Sequence, residues 1–234
     1  MQITTAVTTD MISGKTETHL TRFQGGSCLL HLEVVEPFTL LKQAATEAGF
    51  ELEIASSFRS FDRQLAIWNA KATGERPVLA DAGQSLAFEH LTERDKVFAI
   101  LRWSALPGAS RHHWGTDIDV WDASAVAADY QLQLIPAEYQ QCGPFCGLSE
   151  WLSEDAGRFG FGRPYANDGG GIAPELWHLS YQPIAQHFEQ QLTTDLLREV
   201  LDNSALQLKV TVLDCLDEIF ERFVRPSHHG SLAR

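Results

Sequence analysis

PGASRHHWGTDIDVWD, residues 107–122, is the stretch on which the reading of this chain turns. Pro107 and Gly108 bring any preceding helix to a sharp end. Thr116 to Trp121 then alternates, with Ile118 and Val120 on one side and aspartates on the other, which predicts a half-buried strand. Between the two lie His112 and His113, followed by Gly115, whose freedom at positive φ lets the backbone turn. An imidazole before that turn and a carboxylate after it can therefore converge.

Working outward, the upstream chain predicts a helix over Leu91–Leu106 with LTER as a capping box, a helix over Phe61–Ala72 closing at Gly74, and loop chemistry over Gly74–Ser85. Further up, Leu52 and Ile54 alternate with acids in a strand over Glu51–Phe58, and apolar residues at helical spacing predict a helix over Glu36–Ala48 stopped by Gly49. Downstream, the pattern predicts a strand over Gln131–Pro136, a short helix over Leu148–Asp155, a glycine-rich loop over Arg158–Pro174 and a strand over Glu175–Tyr181 bounded by Pro174 and Pro183. From Ile184 almost to Val224 the pattern is helical and carries no obvious chemistry. No internal repeat appears. The simplest architecture is α+β, a small antiparallel sheet packed with helices.

Composition narrows the function. The chain has 234 residues with 44% hydrophobic and 21% charged, enough to bury a core without disulfides or a structural metal. Any metal is then more naturally catalytic. A formal charge of -13, from 18 Lys+Arg against 31 Asp+Glu, speaks against nucleic acid as a partner. The four cysteines are too few for a disulfide scaffold, and Cys142 and Cys146 in the CGPFC loop read as two small, reduced, buried thiols rather than a zinc knuckle. MQITTAVTTDMISGKTETHLTRF lacks the pattern of a signal peptide, and no run approaches the ~20 apolar residues of a membrane helix. The expectation is a cytoplasmic protein, with export requiring a trimmed leader or another route.

The chemistry-bearing residues are the histidines and aspartates of residues 107–122 and, far downstream, Glu175 and His178 of ELWH. Two imidazoles and a carboxylate suit Zn²⁺ and leave its fourth position open, while a further carboxylate close by can act as a base. Taken singly, each residue has a plainer reading. Arg59 can pair with Asp62, Gln64 can be a solvated helix position, and Glu175 can be an ordinary strand residue.

Three motifs in order make a stronger pattern. Phe58, Arg59, Ser60 and Gln64 form the first, Ser110, His112, Gly115 and Asp119 the second, and Glu175, Trp177 and His178 the third. Together they resemble the D-alanyl-D-alanine carboxypeptidase family of the VanY and VanX type, zinc peptidases of peptidoglycan that share a fold with hedgehog and murein endopeptidase domains. The resemblance spans roughly Glu36 to Tyr181. It implies one Zn²⁺ per chain held by His112, Asp119 and His178, Glu175 as general base, Arg59 as the group that neutralises the oxyanion, and Ser110 and Gln64 as hydrogen-bonding partners of the substrate. The implied substrate is a peptide or muropeptide ending in D-alanine. Rival readings are an L,D-carboxypeptidase or murein endopeptidase with the same metal site, and a non-catalytic module that binds the same peptides.

Departures from the family pattern sharpen the reading. Asp117 stands where the family commonly has a small residue, and can serve as a partner for a histidine. Ser57 replaces a common glycine, so the backbone there must avoid positive φ or tolerate it at some cost. His113 loses to His112 as a ligand on spacing and reads as a supporting or core residue. Trp103, Trp114, Trp121 and Trp151 read as core or pocket wall, Trp177 as packing beside the site, and His228 with His229 as a solvated tail. The expected organisation is an N-terminal extension over 1–35, a zinc peptidase domain over 36–192 and a helical C-terminal extension over 193–234.

Overall fold

Ile118 and Val120 are fully buried, as their alternation requires, and they sit in the middle of a four-stranded antiparallel sheet. A computed structural model describes residues 6–80 and 84–225. Part of the loop predicted over Gly74–Ser85, and the tail with His228 and His229, lie outside the described residues. The strands are β1 (Leu20–Arg22), β2 (Leu29–His31), β3 (Leu52–Ser56), β4 (Asp117–Asp122), β5 (Phe161–Gly162) and β6 (His178–Tyr181). The first two pair as a hairpin, and the other four run β3-β4-β6-β5. The α+β architecture with a small antiparallel sheet is therefore the observed one.

The chain divides into two compact units. The first draws on residues up to 60, 111–167 and 174–191, and the second on 61–110, 168–173 and those from 192 on. In the sheet unit, Leu52, Ile118, Val120 and Leu179 pack with Phe38, Leu41 and Ala45 of the helix Val35–Glu47 and with Leu148 and Leu152 of the helix Cys146–Asp155. That contact buries one apolar face of each element, and burial of a single large aliphatic side chain contributes about 1.5–3 kcal/mol. The helical unit contains Phe61–Ala72, Glu93–Leu101, Thr194–Asp202, Lys209–Asp214 and Leu216–Ile219. Its core includes Trp68, Ile100, Leu197 and Val212, and the indole of Trp68 donates to the Gln207 carbonyl at 3.0 Å.

Several elements differ from the sequence reading. Gln131–Pro136 is not a strand. The buried carboxylate of Glu138 accepts from the backbone N–H of Gln133 and Ile135 and from the Tyr130 hydroxyl, so the N–H groups a strand would pair sideways are satisfied locally. Leu134 also adopts φ 54°, which no strand tolerates. The helix predicted to Leu106 ends at Leu101, because the Arg102 carbonyl is taken by the Ala173 N–H and the Ala105 carbonyl by the Gln64 amide. Its N-terminus is capped by Thr92, whose Oγ1 accepts from the Asp95 N–H. The tail is a broken series of short helices, re-entered at Thr193 by a side-chain cap. Cys142 is exposed and Cys146 half-buried, so the CGPFC thiols are reduced but not buried. Glu175 lies in the turn before β6 rather than on the strand. Among the described residues no helix is long and apolar enough to cross a membrane.

Candidate metal centre and active site

The antiparallel register builds the site. Asp119 in β4 pairs with His178 in β6 on one side and with Ser56 in β3 on the other, which places the carboxylate beside the imidazole across one ladder rung. His112 reaches the same spot from the short helical turn Arg111–Trp114 that precedes β4. Gly115 links the two at φ 68°, where a Cβ would lie 2.4 Å from Leu20 Cδ2 and 2.8 Å from the His31 backbone nitrogen. Only glycine allows both the turn and that close approach. Ser57, the residue that must avoid positive φ, is not among the described non-glycine residues that adopt it.

The three side chains converge. His112 Nε2 is 3.3 Å from Asp119 Oδ2, and His178 Nδ1 is 3.1 Å from Asp119 Oδ1. One donor atom from each of the three lies within 4.8 Å of the others. Ligands at ~2.05 Å from a tetrahedral zinc stand ~3.4 Å apart, and each imidazole nitrogen lies at about that separation from one of the two Asp119 oxygens. The ring orientations fit as well. His112 Nδ1 is 2.9 Å from the Ser57 carbonyl and His178 Nε2 is 2.9 Å from Asp117 Oδ1, so each ring spends one nitrogen outside the centre and turns the other inward.

Burial sets the electrostatics. Desolvation alone would raise the Asp119 carboxyl, but the charges and hydrogen bonds of His112 and His178 outweigh it and hold it well below the usual carboxylate range. Burial works against a charge on His178 too, yet its hydrogen bonds to the Asp117 and Asp119 carboxylates push it up to about 10. The pair is thus an imidazolium between carboxylates, which a divalent cation displaces by releasing a proton. His113, next to the ligand turn, is fully buried with Nδ1 2.6 Å from the Arg59 carbonyl, and burial lowers it to about 3. It supports the turn as a neutral residue, in keeping with its reading as the non-ligand of the two histidines.

Glu175 is the acid within reach that is not buried. Its Oε2 is 3.6 Å from His178 Nδ1 and its side chain is 21% exposed, whereas the His178 side chain is 1% exposed. The turn that carries it is fixed at both ends, by the Glu175 N–H on the Tyr165 carbonyl at 2.8 Å and the His178 N–H on the Glu175 carbonyl at 3.3 Å. Arg59 is tied to the same turn system through its backbone N–H on the His112 carbonyl at 3.0 Å, and its guanidinium donates to Ser56 Oγ at 3.2 Å. Gln64 and Ser110 belong to the helical unit and are both buried. Gln64 is therefore not a solvated position, and its amide donates to the Ala105 carbonyl at 2.7 Å.

Three residues around the centre escaped the sequence reading. Arg111 is buried with its Nε 2.7 Å from Asp117 Oδ1. The Tyr165 ring lies 4.8 Å from that of His178, tilted by 58°. Arg163 donates to the Leu176 carbonyl inside the ELWH turn and to Ser149 Oγ at 3.1 Å. Arg111 adjoins His112 within the segment that carries the second motif, and that position was a usable signal; Tyr165 and Arg163 lie in an irregular loop where no periodicity announces a contact.

Two uncharacterized proteins of Haemophilus influenzae match, one 44% identical over 103 residues that cover 43% of this chain and 70% of the relative, the other 33% identical over 121 residues that cover 51% and 92%. Among solved structures, the LD-carboxypeptidase LdcB aligns with a TM-score of 0.52 at 20% identity, over 83% of this chain and 77% of that one, which is a likeness of fold. A mutant of the vancomycin resistance D,D-pentapeptidase VanY from the VanB-type cassette, in complex with Zn(II), aligns at 20% identity and a TM-score of 0.49, over 82% and 88%. The family model described as VanY, D-alanyl-D-alanine carboxypeptidase, matches residues 27–184, a span that holds both ligand histidines, Asp119 and Glu175. The chain belongs to the VanY family of D-alanyl-D-alanine carboxypeptidases.

Proposed function

We propose that this protein is a zinc-dependent carboxypeptidase that removes the terminal D-alanine from peptidoglycan-type peptides. The observation that carries the reading is the convergence of His112, Asp119 and His178, buried and within 4.8 Å, beside a Glu175 that is itself partly open to solvent. Zinc, when bound by those three side chains, supplies a Lewis acid that brings the pKa of a bound water to about 7 and polarises a carbonyl.

The chain's own groups do the rest. Glu175 takes a proton as the water oxygen bonds to the scissile carbonyl carbon, and returns it to the amine nitrogen as the carbon–nitrogen bond breaks. A carboxylate that performs both transfers must reach solvent and substrate, and Glu175 is the acid of the centre with that exposure. Arg59, fixed by its backbone to the His112 turn, offers a guanidinium to the negative charge that develops on the carbonyl oxygen. Ser110 and Gln64 are the proposed partners of the substrate's carboxylate or backbone, which would restrict cleavage to the chain end.

The test is a substrate panel run with added Zn²⁺ and with a chelator. Release of D-alanine from a pentapeptide ending in D-alanyl-D-alanine, lost on chelation and restored by zinc, is the expected result. Release from the tetrapeptide alone makes the protein an L,D-carboxypeptidase, and cleavage of a cross-linked dimer makes it an endopeptidase. Binding without turnover on any member, with zinc present, replaces the enzyme reading with that of a binding module.

A further inference from the structure

Asp117 is completely buried in a strand, next to the proposed ligands but not among them. Three donors surround its carboxylate. Arg111 Nε lies 2.7 Å and His178 Nε2 2.9 Å from Oδ1, and Thr116 Oγ1 lies 2.6 Å from Oδ2. The positive end of this chain is itself fixed, since Arg111 also donates to the Glu189 carboxylate and to Ser180 Oγ at 2.7 Å and lies over the Trp114 ring at 4.8 Å. All these groups belong to the sheet unit.

The strand geometry explains the grip on His178. Asp117 and Asp119 are two residues apart in β4, so their side chains share a face, and β6 sets His178 opposite Asp119 with Ser180 opposite Asp117. One imidazole is consequently held by a carboxylate at each nitrogen, 3.1 Å at Nδ1 and 2.9 Å at Nε2. A neutral imidazole carries its proton on one nitrogen and a lone pair on the other. When a metal takes the place of the second proton, the carboxylate with a permanent cation behind it would keep the N–H, and the lone pair would fall on the side of Asp119 and Glu175.

We propose that Asp117 is a positioning residue, acting through His178 to hold the Nε2–H tautomer and present Nδ1 to the metal. The assignment rests on the metal reading above. Packing alone is a poor account of Asp117, because burying a carboxylate costs several kcal/mol before its partners offset it, and a small apolar residue fits a strand interior without that cost. His112 shows the contrast: its outer nitrogen faces the neutral Ser57 carbonyl. An ionised partner makes the ring a more basic ligand than a carbonyl does, so Asp117 strengthens the His178 bond specifically.

The experiment measures zinc affinity of the full chain by competition with a chromophoric chelator, for the unaltered protein, Asp117→Asn and Asp117→Ala. Asp117→Ala is expected to bind zinc about 10–100-fold more weakly. Asp117→Asn, whose amide oxygen still accepts from Nε2 but lacks the charge, falls between. A long-range nitrogen–proton NMR spectrum of the zinc-loaded, unaltered protein, labelled at histidine, reads the tautomer directly and does not depend on either variant folding. Protonated Nε2 with metal-shifted Nδ1 is the expected pattern for His178. Metal on Nε2, or both variants within twofold of the unaltered affinity, overturns the role of Asp117 and leaves the metal site standing. Failure of the unaltered protein to bind zinc overturns the metal reading itself.

Discussion

The two units bury different kinds of surface. Among the described residues, the sheet unit buries His19, Arg111, His112, His113, Asp117, Asp119, Asp122, Glu138 and His178, while the polar side chains buried in the helical unit are Gln64 and Ser110. Buried charge is expensive unless paired, so a fold accumulates it where chemistry needs groups of fixed orientation in low dielectric. The helical unit is built instead from indole, aliphatic and aromatic packing around Trp68, Ile100 and Leu197. The contrast separates the reactive scaffold from the apolar one, and makes each unit's exception informative. On the sheet side it is His19, a buried titratable ring with no charged partner among the described residues, facing the His31 ring and the backbone of His113 and Trp114; on the helical side it is Gln64, a buried amide.

The largest expected effect tests whether Glu175, the partly exposed acid beside the buried cluster, is the reactive one. If the proposed mechanism holds, Glu175→Ala lowers kcat by at least about 10³-fold while zinc stoichiometry stays at one per chain, since a proton-transferring acid that is not a ligand leaves the metal in place. Retained turnover would remove Glu175 from the mechanism. Lost zinc would make it a fourth ligand and would blur the line between the buried cluster and its exposed neighbour.

How far the sequence reveals this arrangement depends on the kind of information each part uses. The helices over Phe61–Ala72 and Val35–Glu47 and the strand β4 are written in local periodicity, and so is the turn at Gly115. His112, Asp119, Glu175 and His178 were legible as a motif, since two short spacings carry them onto adjoining strands. What escaped depends on contacts across the chain. Gln131–Pro136 has a strand's alternation, but Glu138, a few residues further on, captures its N–H groups. Arg163 holds the Leu176 carbonyl from a loop thirteen residues away, and nothing in its own neighbourhood points there. The contact of Asp117 with His178 likewise appears only when β4 and β6 pair.

Gln64 sharpens the comparison from the helical side. Its amide nitrogen donates to the Ala105 carbonyl at 2.7 Å just beyond a helix end, so Gln64→Leu leaves that carbonyl without this donor and is expected to cost about 1–3 kcal/mol of stability. Chemical denaturation measures the loss. The same variant decides between two roles for the residue. A KM for the D-alanyl-D-alanine peptide that stays within twofold assigns Gln64 wholly to the architecture of its unit, whereas a tenfold rise with kcat preserved shows that the amide also holds substrate.

His19 gives the smallest effect and the most direct probe of buried charge outside the metal centre. Burial, reinforced by the neighbouring His31 with its ring 5.6 Å away, lowers its pKa to about 4 from an ordinary 6.5, and Phe188 lines another side at 5.8 Å. The folded state thus binds this proton less readily than the unfolded chain. The resulting stabilisation is complete above about pH 6.5 and is lost as the pH falls toward 4, since the unfolded state then takes up a proton that the native state resists. Replacing His19 by Phe removes the titrating group and keeps an aromatic ring against Phe188. Subtracting the variant's unfolding free energy from that of the unaltered protein at each pH is expected to leave a difference that changes by on the order of 1 kcal/mol across that window, with the unaltered protein the more acid-sensitive of the two. A difference independent of pH would mean that His19 is solvated in solution, and its burial would then carry no cost in charge.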